Sequence, residues 1–344
     1  MSSGRWAVLG LLLLGCPTPI TVDAGTDAGP AIADASVEID AGPSCLALET
    51  VDLDQADAGR AFLLGAGAGG DFVPRLAFDN LWRVCGTGQP ADFAAAARAW
   101  WTLATKTRVY TDGSAPQSGH RTFMATQLAF GTTQAQLEAL EPSYLAMRQY
   151  LLTLQPPAWP FTAPEAGAVA RGRTIFRAQC TSCHRDDRCE RMASVEVAQR
   201  TVGTDAERAV KYGDNEVALI NGTWFGMDEP HRATGSYVAP SLRGVWASAP
   251  YLHNGSVPTI TAMLDSTQRP RFFTLRGTSR ADYDEVNVGL KVEVFTAAPA
   301  NPTRADRAAV YDTTKPGLGN GGHLFGDALT IEQRADVVAF LKTF

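Results

Sequence analysis

The chain has 344 residues, 45% of them hydrophobic and 19% charged, a balance that fits a globular protein and excludes a wholly disordered or fibrous one. Its formal net charge of −6 excludes a basic nucleic-acid binder, and no nucleic-acid partner is predicted. The length accommodates one large domain or two ordinary ones with ample core.

The first segment, residues 1–15, reads as an export signal: Arg5, then the apolar run from Trp6 to Leu14. That run is too short to span a bilayer as a mature helix. Leu13-Leu14-Gly15-Cys16 resembles a bacterial lipobox, which implies cleavage before Cys16 and lipidation of that cysteine. The alternative is an ordinary signal peptide cleaved elsewhere. Lipidation predicts a chain anchored to a membrane rather than spanning it. Pro17 follows the cysteine, which leans toward an outer-membrane location in the cell envelope, periplasmic or surface-facing.

Residues 16–44 repeat Asp-Ala-Gly and carry Asp23, Asp27, Asp34, Glu38 and Asp40 with no Lys or Arg. Small residues, prolines and like charges cannot bury a core, so this segment is predicted to be a disordered acidic tether. Residues 45–160 then read as a smaller helical domain. One helix is predicted over Ala91 to Val109 and another over Gln134 to Leu154, where Pro142 divides the pattern. Gly65 to Gly70 is a loop, since a phosphate-binding reading lacks its Lys-Ser/Thr ending. His120, between Gly119 and Arg121, reads as an exposed loop residue. Gln155-Pro156-Pro157-Ala158-Trp159-Pro160 is a stiff segment and marks the boundary.

Residues 161–344 carry the chemistry. A helix begins at Ala163-Pro164-Glu165, with Gly172, Ile175 and Phe176 on one face. It runs into Cys180-Thr181-Ser182-Cys183-His184. Two cysteines, two spacers and a histidine are the signature of covalent c-type haem attachment. The thiols form thioethers with the vinyl groups, and the adjacent imidazole becomes an axial iron ligand. One covalent haem c is predicted. Near the C-terminus, Thr330-Ile331-Glu332-Gln333 forms a capping box before an apolar stripe at Val337, Val338, Phe340 and Leu341. Two helices crossing over a haem-bearing turn make a cytochrome c core. The predicted fold class is mainly α: a cytochrome c-like domain preceded by a helical domain without covalent haem. Cys45, Cys85 and Cys189 remain, and an oxidising compartment predicts one disulfide among them.

Further motifs lie between. They are Gly203-Thr204-Asp205-Ala206-Glu207-Arg208, Tyr237 to Trp246, Tyr251-Leu252-His253-Asn254-Gly255-Ser256-Val257-Pro258-Thr259, and Gly319-Asn320-Gly321-Gly322-His323-Leu324-Phe325-Gly326. Together they resemble the C-terminal haem domain of rubber-oxygenase-like dihaem cytochromes, distant relatives of bacterial dihaem cytochrome c peroxidases. The resemblance covers 161–344 well and 45–160 poorly. Those relatives carry a second covalent haem in the N-terminal half, for which this chain has no attachment motif.

The resemblance implies that Pro240 and Arg243 pack against the haem and that His323 is its second axial ligand. From the residues alone His253, Met263 and Met227 are also candidates, and a Gly-rich loop before the last helix can approach a porphyrin closely. His231, in a polar stretch, reads as surface. Trp246 and Tyr251 either line the haem pocket or fill the core. The expected function is one-electron transfer with a redox partner protein in the cell envelope, the membrane being reached through the N-terminal lipid. The rival is a haem peroxidase or oxygenase with an open sixth position.

Overall fold

In a computed structural model the chain is described at residues 48–65, 99–125, 133–184, 193–277, 279–301, 303, 306 and 309–344. The export signal, Cys16, the acidic tether, Cys45, Cys85 and Cys189 lie outside the described residues, as do residues 66–70 of the glycine-rich loop.

The N-terminal region is built on α1 (Leu53–Gly65) and α3 (Gln134–Thr153), which pack together, with the short α2 (His120–Ala125) beside them. The side chain of Thr133 accepts the Gln136 N–H, and the side chain of Gln136 accepts the Thr133 N–H, starting α3 with a capping box. Pro142 lies inside α3 without ending it, so the predicted division does not occur. Leu137, Tyr144, Met147, Leu151 and Leu152 are buried on the face toward Leu103 and Met124, and that burial outweighs the backbone hydrogen bond a proline removes. The predicted helix up to Val109 is absent from its described part. Trp100–Thr102 is a single 3-10 turn, followed by β1 (Arg108–Val109) paired with β2 (Ala115–Pro116).

After α3 the chain runs extended through Pro156 and Pro157. It lies against the second core: Trp159 stacks edge-on at 5.6 Å from Trp246, whose Nε1 donates to the Pro157 carbonyl at 2.9 Å. The next helix, α4 (Ala166–Gln179), starts at Glu165. Both oxygens of that carboxylate accept N–H groups, from Gly167 and Ala168 at 2.6 Å, and these bonds hold its pKa below the usual range.

Helix α4 crosses the C-terminal helix, α9 (Ile331–Leu341), whose Thr330–Gln333 capping box is present. The crossing is backbone-close at Gly172, where a Cβ would sit 1.9 Å from the Asp336 carbonyl oxygen. Arg171 closes it with a bidentate pair to Asp336 at 2.8 Å. Beneath lie Phe176, Phe340 and Phe344, with ring centres 5.0 to 5.7 Å apart. Fully burying Phe176 alone is worth roughly 1.5–3 kcal/mol.

The mainly-α expectation is wrong. Among the described residues 40% are helical and 13% are in strands, and they form several small antiparallel sheets. β3 (Val195–Ala198) pairs with β4 (Ser236–Ala239), framing the short helices α5 (Gln199–Val202), α6 (Glu207–Lys211) and α7 (Asp214–Asn221). After α8 (Ile260–Leu264), β5 (Phe272–Leu275) lies between β8 (Val292–Phe295) and β9 (Val310–Asp312), with Phe273 stacked on Tyr311 at 4.5 Å. β6 (Tyr283–Asp284) pairs with β7 (Gly289–Leu290). Their β-branched and aromatic residues, as in Val292-Glu-Val-Phe295, favour a pleated, half-buried strand. No helix among the described residues is long and apolar enough to cross a membrane.

The two regions share structure. Phe225 is buried in the core of the N-terminal region. Trp101 packs against the second core, and its Nε1 donates to the Arg243 carbonyl at 2.8 Å.

Candidate metal centre

The site begins where α4 stops. The Cys180 N–H still bonds the Phe176 carbonyl at 2.8 Å, after which the chain curls. The N–H groups of Cys183 and His184 both donate to the Cys180 carbonyl, at 3.2 and 2.8 Å. That turn gathers two half-buried cysteines and one imidazole.

The His184 ring is oriented by Pro240, whose carbonyl oxygen is 3.0 Å from Nδ1. A carbonyl can only accept, so Nδ1 carries the hydrogen and Nε2 keeps its lone pair for a metal. Pro240 thus contributes its backbone carbonyl to the site.

His323 lies beside it. Its ring centre is 6.1 Å from that of His184, with the planes inclined at 60°. Two imidazoles on opposite sides of one metal, with metal–nitrogen bonds of about 2.0–2.1 Å and about 1.1 Å from nitrogen to ring centre, have centres about 6.3 Å apart. The observed spacing fits that arrangement. His323 Nδ1 is buried with no hydrogen-bond partner. Burial, with a smaller contribution from the neighbouring His184, pushes its pKa down to about 4, so the imidazole is neutral and can act as a ligand. These observations fit a haem iron held between two histidines, with Cys180 and Cys183 placed for its covalent attachment.

The loop bearing His323 is held firmly. His323 has φ of 48° and Gly322 of 72°, both left-handed. The His323 N–H donates to the Val202 carbonyl at 2.7 Å. Gly322 lies against Gly203 so closely that a Cβ would fall 2.2 Å from the Gly203 carbonyl carbon. Asp205 Oδ2 accepts the N–H groups of Gly317 and Gly319 at 2.9 and 3.2 Å. Asn254 Nδ2 donates to the same two residues' carbonyls at 3.1 and 2.8 Å, and Ser256 Oγ to that of Gly319 at 3.0 Å. The segments 203–208, 251–259 and 319–326, distant in sequence, thus meet around one loop.

The other candidates have these surroundings. His253 is buried and stacked on Tyr237 at 4.1 Å. Met263 packs against the core in α8, and Met227 is 67% exposed. Arg243 contributes its carbonyl to Trp101. Trp246 and Tyr251 are buried in the core.

Two histidines depart from expectation. His120 is not an exposed loop residue: it opens α2 and lies between Glu141 at 2.7 Å and Glu229 at 3.2 Å. Burial opposes its charge, but hydrogen bonds to Glu229 and Glu141 outweigh it and raise the pKa. His231 is not on the surface either. It is buried between the Tyr212 hydroxyl at 2.5 Å and the Thr122 hydroxyl at 3.1 Å. The polar sequence around each is used internally, which local hydropathy cannot distinguish from solvation.

Burial lowers the His231 pKa to about 4. Between the ordinary value of 6.5 and about 4, the unfolded chain binds the proton more readily. The native state therefore loses stability as pH falls through that window, by at most roughly 3 kcal/mol from this residue. Urea unfolding of wild type and His231→Gln at pH 7 and pH 4 measures this. The stability difference between them is expected to shrink at low pH; a pH-independent difference would refute the assignment.

Comparison with known proteins agrees with the C-terminal motifs. Residues 235–274 match the family described as RoxA-like, cytochrome c-like, a match in the C-terminal part of the chain that supports the resemblance of its motifs to that cytochrome c domain. A cytochrome c-like domain implies haem c. The chain is 29% identical over 254 residues to the uncharacterized protein y4iM of Sinorhizobium fredii (strain NBRC 101917 / NGR234), covering 65% of this chain and 55% of that protein. It is 27% identical over 259 residues to the uncharacterized protein y4iJ of the same organism, covering 55% of this chain and 41% of that protein. The chain spans about half the length of the curated relatives it matches.

Proposed function

We propose that this chain, similar to RoxA-like cytochromes c, is a monohaem electron carrier of the cell envelope, in which Cys180 and Cys183 would attach the haem and His184 and His323 would hold its iron. The observation that supports it best is the 6.1 Å spacing of the His184 and His323 rings, with His184 fixed by Pro240. Haem, when bound, supplies a one-electron ferric/ferrous couple. The protein's part is to hold both imidazoles in place through the redox cycle, so that little reorganises. Pro240 keeps His184 in one tautomer, and the rigid loop keeps His323 opposite it. Low polarity around His323 and the hydrogen bond to His184 tune the potential. In this reading Arg243 packs near the haem, and the lipid on Cys16 and the acidic tether hold the domain at a membrane, most simply the outer one, within reach of a redox partner protein.

Absorption spectra of the ferric and ferrous protein test the proposal. Low-spin six-coordinate spectra, unchanged by carbon monoxide or peroxide, are expected. A high-spin ferric spectrum that reacts rapidly with peroxide would instead establish a haem peroxidase or oxygenase.

A further inference from the structure

Arg269 donates all five of its N–H hydrogens to backbone carbonyls. Nε bonds Ala262 at 3.0 Å; one terminal nitrogen bonds Asn320 and Gly322, both at 2.7 Å; the other bonds Met263 at 3.3 Å and His323 at 3.2 Å. Two of these acceptors end α8. The other three belong to the loop that carries His323. We propose that Arg269 is the positioning residue of the metal centre, tying the His323 loop to α8 so that the imidazole stays in its ligating pose. This rests on the reading of His323 as an axial ligand.

The loop needs such a tie. His323 has a left-handed φ of 48°, which a non-glycine residue keeps only where its surroundings enforce it. Asp205, Asn254 and Ser256 secure the loop at Gly317 and Gly319, short of the histidine. Beyond it, Leu324 and Phe325 are exposed, and the next fixed points are Gly326 against the Leu264 backbone and Asp327, which accepts from Ser266. At residues 320–323 the chain is held by the packing of Gly322 on Gly203 and by hydrogen bonds to the Val202 carbonyl, from the Asn320 amide to Pro270, and from Arg269 to three carbonyls.

Helix α8 is a sound base for this contact. Thr259 caps it, and Ile260, Ala262 and Leu264 are buried in the core. Arginine suits the task because its rigid, planar fork meets carbonyls on two sides at once. A lysine offers three donors from one point and cannot span both.

The test uses the haem-loaded full chain and titrates it with imidazole, which competes for the iron whenever His323 leaves. Apparent affinity rises with the fraction of protein in which the loop is detached. Losing three loop contacts is expected to raise it on the order of tenfold or more in Arg269→Met, with Arg269→Lys intermediate. Ferric spectra should gain a high-spin component in the same order. In a His323→Ala background, Arg269→Met should change neither property, a result that general loosening of the fold would not give. Wild-type affinity and spin state in both Arg269 variants would overturn the proposal. Arg269→Lys decides alone if Arg269→Met fails to accumulate. If His323→Ala itself stays low-spin, the ligand assignment fails and this proposal with it. If His323→Ala turns high-spin while the Arg269 variants are silent, only the role of Arg269 is refuted.

Discussion

Replacing His323 by alanine is expected to turn a low-spin haem protein into a high-spin one. The side chain is a neutral imidazole whose ring centre lies 6.1 Å from that of His184, and alanine leaves nothing to replace it as a ligand. The fold should survive, because the loop is held through backbone atoms at Gly317, Gly319, Asn320 and Gly322. Three readings should therefore move together. The ferric spectrum becomes high-spin, carbon monoxide binds the ferrous form, and added imidazole binds on the order of a hundredfold more tightly while restoring the low-spin spectrum. A variant that remains low-spin without added ligand would show that another residue completes the iron coordination. The parallel changes Met263→Ala and His253→Ala should leave the spin state as it is.

Gly172→Val is expected to be the most damaging single change in the helical core. An added Cβ would lie 1.9 Å from the Asp336 carbonyl oxygen and 2.5 Å from its carbon. Both are backbone atoms of α9, so no side chain can swing aside. The helices must separate, which unpacks Phe176 from Phe340 and Phe344 and stretches the Arg171–Asp336 pair. The gain of up to ~1 kcal/mol from removing a mid-helix glycine is small beside this. A loss of about 3 kcal/mol or more is expected, which corresponds to a fall in Tm of roughly 10 °C. Thermal unfolding followed at the haem band and by circular dichroism measures it. An unchanged Tm would mean that the helices do not need to cross at this point.

Local chemistry made much of this protein readable from its residues. Cys180 to His184 is five adjacent residues whose job is written in their order, and Thr330–Gln333 is a cap whose two hydrogen bonds span three positions. Gly172 and Phe176 stand one helical turn apart. Each of these depends on neighbours in sequence. The strands were harder: β1, β2, β6 and β7 have two residues each, too few for an alternation to register, and the longer ones contributed to a fold that is not mainly α. His120 and His231 were misplaced because their partners, Glu141, Glu229, Tyr212 and Thr122, come from other segments. Arg269 gave no signal at all. It stands in Gln268-Arg269-Pro270, which reads as a polar turn, and what it binds is backbone, which has no residue type to recognise. Asp205 and Asn254 fell within motifs singled out by resemblance, but only the fold shows that they hold the same loop.

The indole of Trp101 has a consequence for how the chain can be divided. It fills the space beside Gly244, where a Cβ would meet its ring nitrogen at 2.7 Å, and it bonds the carbonyl of Arg243, three residues beyond Pro240. From the other side, Phe225 of the haem-bearing half is sealed into the core of the first. The N-terminal region, in which the sequence has no haem attachment motif, thus packs directly behind the segment that carries Pro240. Cutting the chain at residue 161 would remove the prop behind the segment that aims His184 and would strand an aromatic ring in water. A region can be kept because the residue that aims a ligand leans on it.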